Sequence, residues 1–170
     1  DRKDVMLWID VANEIYSDST QMVVHGISMG GATTMMVSGE KLPEYVKCCV
    51  EDCGYTSVWD QFSKELKEQF GLPKFPLMHT ASWLCDRTKG WNFNEASSFE
   101  QVKKCTLPML FIHGEKDDYV PTWMVYELYQ AKPEPKELWT VPNADHATSY
   151  KLNKKEYTEK VKLFTDKYIR

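Results

Sequence analysis

Gly26-Ile27-Ser28-Met29-Gly30 lies between a short apolar run, Met22-Val23-Val24, and a segment from Ala32 to Gly39 that reads as a helix. A strand that passes straight into a helix must turn very tightly. Side chains two residues either side of the tip would collide there, so the G-x-S-x-G spacing predicts a serine held out at the turn. The helix that follows aims its first N–H groups at the same point, and the backbone N–H of Met29 is the donor best placed for a developing oxyanion.

The rest of the chain repeats this alternation. Val5, Trp8, Ile9, Ala12 and Ile15 predict a helix over 3–16 with one buried face, ended by Ser17-Asp18-Ser19-Thr20. After the helix closed by Gly39 and Pro43, Val46 to Val50 reads as a strand. Residues 57–70 read as a helix with Trp59, Phe62, Leu66 and Phe70 on one face, 75–89 as another, and loop follows to about residue 97. Leu107 to His113 is a strand, and Pro121 is suited to be the first residue of a helix running to Ala131. Glu137 to Val141 is a strand, and Tyr157, Val161, Phe164 and Tyr168 mark a terminal helix. Continuous apolar strands alternating with helices predict an α/β fold: a parallel sheet with helices on both faces.

At 170 residues with 42% hydrophobic content, the chain suits a single domain with a sizeable core. Its net charge of −4 argues against a nucleic-acid or anionic-membrane surface, which needs clustered Lys and Arg, and no apolar run is long enough to span a membrane. Five cysteines, Cys48, Cys49, Cys53, Cys85 and Cys105, form no even framework and no paired C-x2-C. They read as buried thiols rather than disulfides or a metal site. The chain opens on Asp1-Arg2-Lys3-Asp4 without Met and without a secretory pattern, and so reads as a piece of a longer protein. The compartment stays open, with the cytoplasm slightly favoured.

A serine hydroxyl needs a base, and the base needs an orienting carboxylate. Of the four histidines, His25 directly precedes the turn, His79 lies in the helical middle and His113 ends a strand, where packing is its expected role. His146, in Asn143-Ala144-Asp145-His146-Ala147, follows the last strand and falls on the same sheet edge as Ser28. It is the candidate base. Asp117 and Asp118 follow the strand ending at His113. Asp145 would point away from its neighbour His146, and Asp52 follows the preceding strand.

The stretch from Ile112 to Pro121, IHGEKDDYVP, resembles the H-G-x-x-D-x-x-V-P block of α/β-hydrolases, whose Asp is the triad acid. "MVVHGISMGGATTMM" resembles their nucleophile strand and helix, and "NADHATSY" their histidine loop. The order Ser28, Asp117, His146 is the order this fold uses. The resemblance, closest to bacterial serine hydrolases of esterase, lysophospholipase-like and peptidase-like type, implies Asp117 as acid, with Asp118 its solvent-facing neighbour and Asp52 a second choice. It also implies a small-molecule carboxylic ester as substrate, cleaved by acyl transfer without metal or organic cofactor. An amide or peptide bond is the first rival. A non-catalytic binding module and a thiol redox protein on Cys48, Cys49 and Cys53 are the others.

The family's sheet has about eight strands, and the first of them, with the loop that gives a second oxyanion N–H, precede the nucleophile strand. The four strands here match its second half. The chain is therefore expected to be part of one α/β-hydrolase domain over 1–170, interrupted by a helical lid-like insertion around 55–100. The strand at 22–27 would be an exposed edge, open to self-association or to pairing with a preceding segment. The insertion carries Trp59, Phe62, Phe70, Phe75, Trp83, Trp91 and Phe93, which either face an acyl or aryl group or pack the insertion onto the sheet.

Overall fold

The two central apolar runs are shielded on both faces, which is why they read as continuous hydrophobic segments. In the computed structural model, which describes residues 1–16 and 20–170, β2 (Val46–Asp52) and β3 (Met109–Gly114) are almost wholly buried. They are flanked by β1 (Met22–Ile27) and β4 (Lys136–Val141) in a parallel sheet of order β1-β2-β3-β4. Between the strands run α2 (Met29–Ser38), then α3 (Val58–Phe70), α4 (Leu77–Lys89) and α5 (Ser98–Val102), then α6 (Trp123–Ala131). Helix α1 (Arg2–Tyr16) precedes β1, and α7 (Ser149–Leu152) and α8 (Lys154–Thr165) follow β4.

Alternate residues of each strand feed opposite layers. Cys49, Met109 and Phe111 pack with Met35 of α2, Val102 of α5, and Val125 and Leu128 of α6. Cys48, Val50, Leu110 and Ile112 face the other way, against Tyr157 and Phe164 of α8. In register, Asp52 pairs with Ile27 on one side and Ile112 on the other. The carboxyl ends of the strands therefore line up on one edge, where β-to-α loops can converge.

The α/β expectation and all four strands hold, and several local readings change. The strands run on to Ile27, Asp52 and Gly114, and α2 begins at Met29 rather than Ala32. Helix α6 starts at Trp123, because the Met124 N–H bonds back to the Pro121 carbonyl at 2.9 Å in a tighter turn. Two short helices that the spacing does not predict, α5 and α7, are present, and α8 ends before Tyr168. Of the apolar set on α1, only Ile9 is buried, while Trp8 and Ile15 are exposed. The helix carries two apolar stripes, and its contacts with α2 and β1 cover the one formed by Val5, Met6 and Ile9. On α3, Phe62 and Phe70 are exposed and the buried positions are Val58, Gln61 and Ser63. Of the helix-ending stretch Ser17–Thr20, residues 17–19 lie outside the described residues.

Candidate active site

Ser28 occupies the single position between β1 and α2, at φ 57° and ψ −118°. Positive φ is costly for a residue with a Cβ and persists where the surroundings enforce it. Two bonds do so here: the Ser28 N–H donates to the Asp52 carbonyl at 2.8 Å, and the Ser28 carbonyl accepts from the Ala32 N–H at 3.0 Å. Although Ser28 is the N-cap of α2, its hydroxyl caps nothing. It faces His146 instead, with Oγ 2.7 Å from Nε2. Cys53, Asn143 and Ala147 also have positive φ, so backbone strain gathers around this edge of the sheet.

His146 is held from its other nitrogen. Nδ1 lies 2.8 Å from Asp117 Oδ2, so the ring is oriented with Nδ1–H donating and Nε2 free to accept. The Asp117 side chain is fully buried, and its other oxygen accepts the Val120 N–H at 2.8 Å. The loop beneath is stitched to the sheet, with the Lys116 N–H on the Ala144 carbonyl at 3.0 Å and the Glu115 N–H on the Val141 carbonyl at 3.0 Å. The structure thus brings Ser28, His146 and Asp117 into one hydrogen-bonded line. Met29 is the first residue of α2, and the amides of a first helical turn have no partner within the helix. Asp118 and Asp145 are both exposed.

The glycine spacing is required on one side only. A Cβ at Gly26 would stand 2.1 Å from the Gly30 carbonyl oxygen, whereas one at Gly30 would meet nothing within 4 Å. The crowding expected at Gly30 falls on Gly31, whose Cβ would lie 2.8 Å from the Asp52 carbonyl oxygen. Gly26→Ala should cost about 3 kcal/mol of stability from overpacking against backbone. Gly30→Ala should be neutral or stabilise by up to about 1 kcal/mol through helix propensity. Urea unfolding of the two variants measures the contrast.

The remaining histidines have other partners. His113 is buried, donates Nε2–H to the Val120 carbonyl at 2.8 Å, and burial lowers its pKa, so it stays neutral and braces the Asp117 loop. His25 Nε2 lies 3.1 Å from the Tyr157 hydroxyl. His79 packs edge-on against Trp59, with ring centroids 5.1 Å apart.

Asp52 is hydrogen-bonded elsewhere, although it is near enough to His146 for their charges to interact. Its buried carboxylate accepts from the Ser149 hydroxyl at 3.3 Å and from Tyr157, and so anchors the segment that follows the His146 loop. Nothing in the sequence singled out Ser149 or Tyr157 for this. Burial raises the Asp52 carboxyl from 3.8 to about 6. The native state therefore favours the protonated form. That contribution to stability is fully present below the ordinary value and is lost as pH rises through 6, a loss of about 3 kcal/mol. Asp52→Asn does not titrate. Its stability relative to the parent should improve by about that amount between pH 4 and pH 8 in urea unfolding, and an equal difference at both pH values would rule out Asp52 as the titrating group.

Tyr119, which no sequence motif marks, also lies at the site. Its ring centroid lies 4.8 Å from that of His146, and its carbonyl accepts from Gln61 Nε2 of α3 at 2.8 Å. Helix α3 is thereby tied to the loop that carries Asp117. Beside Met29 a cavity of about 350 Å³ opens between α2, the start of α1 and the helical segment, with Met36, Tyr55, Val58 and Trp91 on its wall together with the charged Asp1, Arg2, Lys3, Asp4, Lys89 and Glu95. Among the described residues, Cys53, Asp117 and His146 offer sulfur, oxygen and nitrogen atoms within 4.8 Å of one another, a set that could hold a metal ion. Its nitrogen and oxygen are already hydrogen-bonded to each other, and burial pushes the Cys53 thiol up, keeping it protonated and a poor ligand.

The profile of the prolyl oligopeptidase family, peptidase S9, matches residues 1–170. The chain belongs to the prolyl oligopeptidase family. This family member is 32% identical over 143 residues to the uncharacterized protein YqkD of Bacillus subtilis, covering 84% of the chain and 47% of YqkD. It is 24% identical over 131 residues to the uncharacterized protein YfhR of Escherichia coli O157:H7, covering 76% of the chain and 39% of YfhR. The chain thus spans about half or less of the length of these curated relatives. Among solved structures, the esterase Pf2001 of Pyrococcus furiosus superposes with a TM-score of 0.73 at 19% identity, over 98% of this chain and 61% of that one. The acylaminoacyl peptidase of Pyrococcus horikoshii superposes with a TM-score of 0.67 at 17% identity, over 97% and 27%. These likenesses are to the fold. The prolyl oligopeptidase family member described here carries four parallel strands of an α/β-hydrolase sheet. No helix of the described residues is long and apolar enough to cross a membrane.

Proposed function

We propose that this chain carries the catalytic residues of a serine hydrolase that cleaves a carboxylic ester. The observation that carries the reading is the line Ser28 Oγ to His146 Nε2 at 2.7 Å and His146 Nδ1 to Asp117 Oδ2 at 2.8 Å. Ser28 Oγ attacks the ester carbonyl as its proton passes to His146 Nε2. Asp117 holds the imidazole in the accepting tautomer and stabilises the imidazolium. The Met29 N–H donates to the tetrahedral oxyanion. Collapse breaks the carbon–oxygen bond, and the leaving alcohol takes the proton from His146. Water, losing a proton to His146, then attacks the acyl-serine, and as the bond between the acyl carbon and Ser28 Oγ breaks, His146 returns the proton to Oγ and the carboxylic acid leaves.

The apolar part of the wall of the cavity beside Met29, formed by Met36, Val58 and Trp91, supports an apolar acyl or aryl group on the substrate, while Asp1, Arg2, Lys3, Asp4, Lys89 and Glu95 make the rest of that wall charged. In the same reading, the helical segment 55–100 serves as a cap, and β1, the edge strand of this sheet, pairs with a preceding segment that supplies a second oxyanion donor. The peptidase relatives support amide cleavage as the second reading, because the same three residues serve both bonds.

The test is covalent labelling with a fluorophosphonate, mapped by mass spectrometry, on the chain alone and on the chain supplemented with its preceding portion. An adduct on Ser28 in either is the expected result, with kcat/KM for acyl esters above that for the matching amides. No adduct in either form would overturn the catalytic reading.

A further inference from the structure

The two hydrogen bonds of His146 fix where its ring nitrogens point but restrain the tilt of the ring weakly. The terminal torsion of a histidine side chain is broad, so the imidazole can rock about the axis from Asp117 to Ser28 at little cost. Proton transfer does not tolerate that freedom. The same nitrogen takes a proton from Ser28 and later gives it to the leaving group, and a displacement of about 1 Å costs about 10²-fold in rate.

Tyr119 stands where a restraint is needed. Its ring centroid lies 4.8 Å from that of His146, with the two planes 57° apart, and the His146 side chain is left 20% exposed. Tyr119 is itself 46% exposed, so its ring adds little to the core; what it covers is the imidazole. The residue is nevertheless held from two directions. Its neighbour Val120 donates its N–H to Asp117 Oδ1 and accepts His113 Nε2–H at its carbonyl, each at 2.8 Å. From α3, Gln61, which is 4% exposed, donates Nε2–H to the Tyr119 carbonyl at 2.8 Å. Lys64 of the same helix, paired with Glu65 and Glu68, brings Nζ to 5.8 Å from the centre of the Tyr119 ring, an attractive arrangement of cation and aromatic face. Each of these contacts with Tyr119 goes to its carbonyl or its ring, and none to its hydroxyl.

We propose that Tyr119 is a positioning residue for His146: its ring stops the imidazole from tilting away from Ser28, and α3, through Gln61 and Lys64, holds that ring in place. The benefit to catalysis rests on the serine-hydrolase reading above, whereas the clamp on the imidazole does not. The test compares the full-length protein with its Tyr119→Phe, Tyr119→Ala and Gln61→Leu variants, circular dichroism confirming that each is folded. Carbethoxylation of His146 by diethyl pyrocarbonate, at a pH where the imidazole is neutral and mapped by mass spectrometry, reads the freedom of the ring without turnover. Losing one aromatic pair, Tyr119→Ala should speed this reaction about 3- to 10-fold, while Tyr119→Phe leaves it unchanged. In ester turnover, Tyr119→Ala should lower kcat about 10- to 100-fold with little change in KM, and Tyr119→Phe should retain the parent kcat. Gln61→Leu should move both readouts in the same directions by less, and should add nothing in the Tyr119→Ala background. An unchanged carbethoxylation rate in Tyr119→Ala overturns the proposal. So does a loss of kcat that Tyr119→Phe shares, or faster carbethoxylation with an undiminished kcat. Faster carbethoxylation in a protein whose Ser28 takes no fluorophosphonate would uphold the clamp and sink the hydrolase reading instead.

Discussion

Ser28→Ala is expected to lower kcat by about 10⁶-fold, leaving only the rate contributed by binding and oxyanion stabilisation. The size of the effect follows from the way the three side chains act together. Without Oγ, His146 has no proton to accept, and Asp117 has no imidazolium to stabilise. Stability should hardly change, for two reasons visible in the structure. Alanine keeps the Cβ and so bears the same strain at φ 57°, and the serine hydroxyl makes no capping bond that alanine would lose. A fall in turnover with an unchanged unfolding midpoint is therefore the specific outcome. Residual activity above about one per cent of the parent would remove Ser28 as nucleophile.

Asp117→Asn should lower kcat by about 10⁴-fold. Both oxygens of Asp117 are in use, Oδ1 accepting from the Val120 N–H at 2.8 Å and Oδ2 facing His146 Nδ1 at 2.8 Å. Asparagine has one oxygen. If that oxygen keeps the Val120 bond, the amide NH2 confronts His146 and forces the tautomer protonated on Nε2, which cannot take a proton from Ser28. If the amide turns over, the Val120 N–H loses its acceptor within a buried loop, and stability falls as well. Asp118→Asn is the matched control. Its side chain is exposed, and its kcat should stay within a few-fold of the parent. Steady-state kinetics on the pair decides the matter, and a large loss at Asp118 with little at Asp117 would move the acid to the neighbouring residue.

The pairing of Ser28 with His146 was legible because each is fixed by local grammar. One sits in a strand-to-helix turn whose glycine at position 26 has no room for a Cβ, and the other sits in the first loop after a strand. Asp117 over Asp52 was a choice the residues alone left open and the family resemblance favoured. The structure gives the two different neighbours, His146 for Asp117, and Ser149 and Tyr157 for Asp52. The burial of α1 and α3 is not legible in their periodicity. Periodicity reports that Trp8, Ile15, Phe62 and Phe70 lie near apolar faces, but it does not report whether anything stands opposite them.

By itself, the sequence determined the α/β alternation, the four strands and the positions of Ser28 and His146, because strand runs, tight turns and helix starts are set by steric rules acting over a few residues. Only the tertiary structure decided which glycine the turn requires, that Asp52 anchors the segment after His146, and that Tyr119 lies against the His146 ring. Each of these depends on atoms brought together from distant parts of the chain, and the spacing of residues along a sequence carries no measure of that proximity.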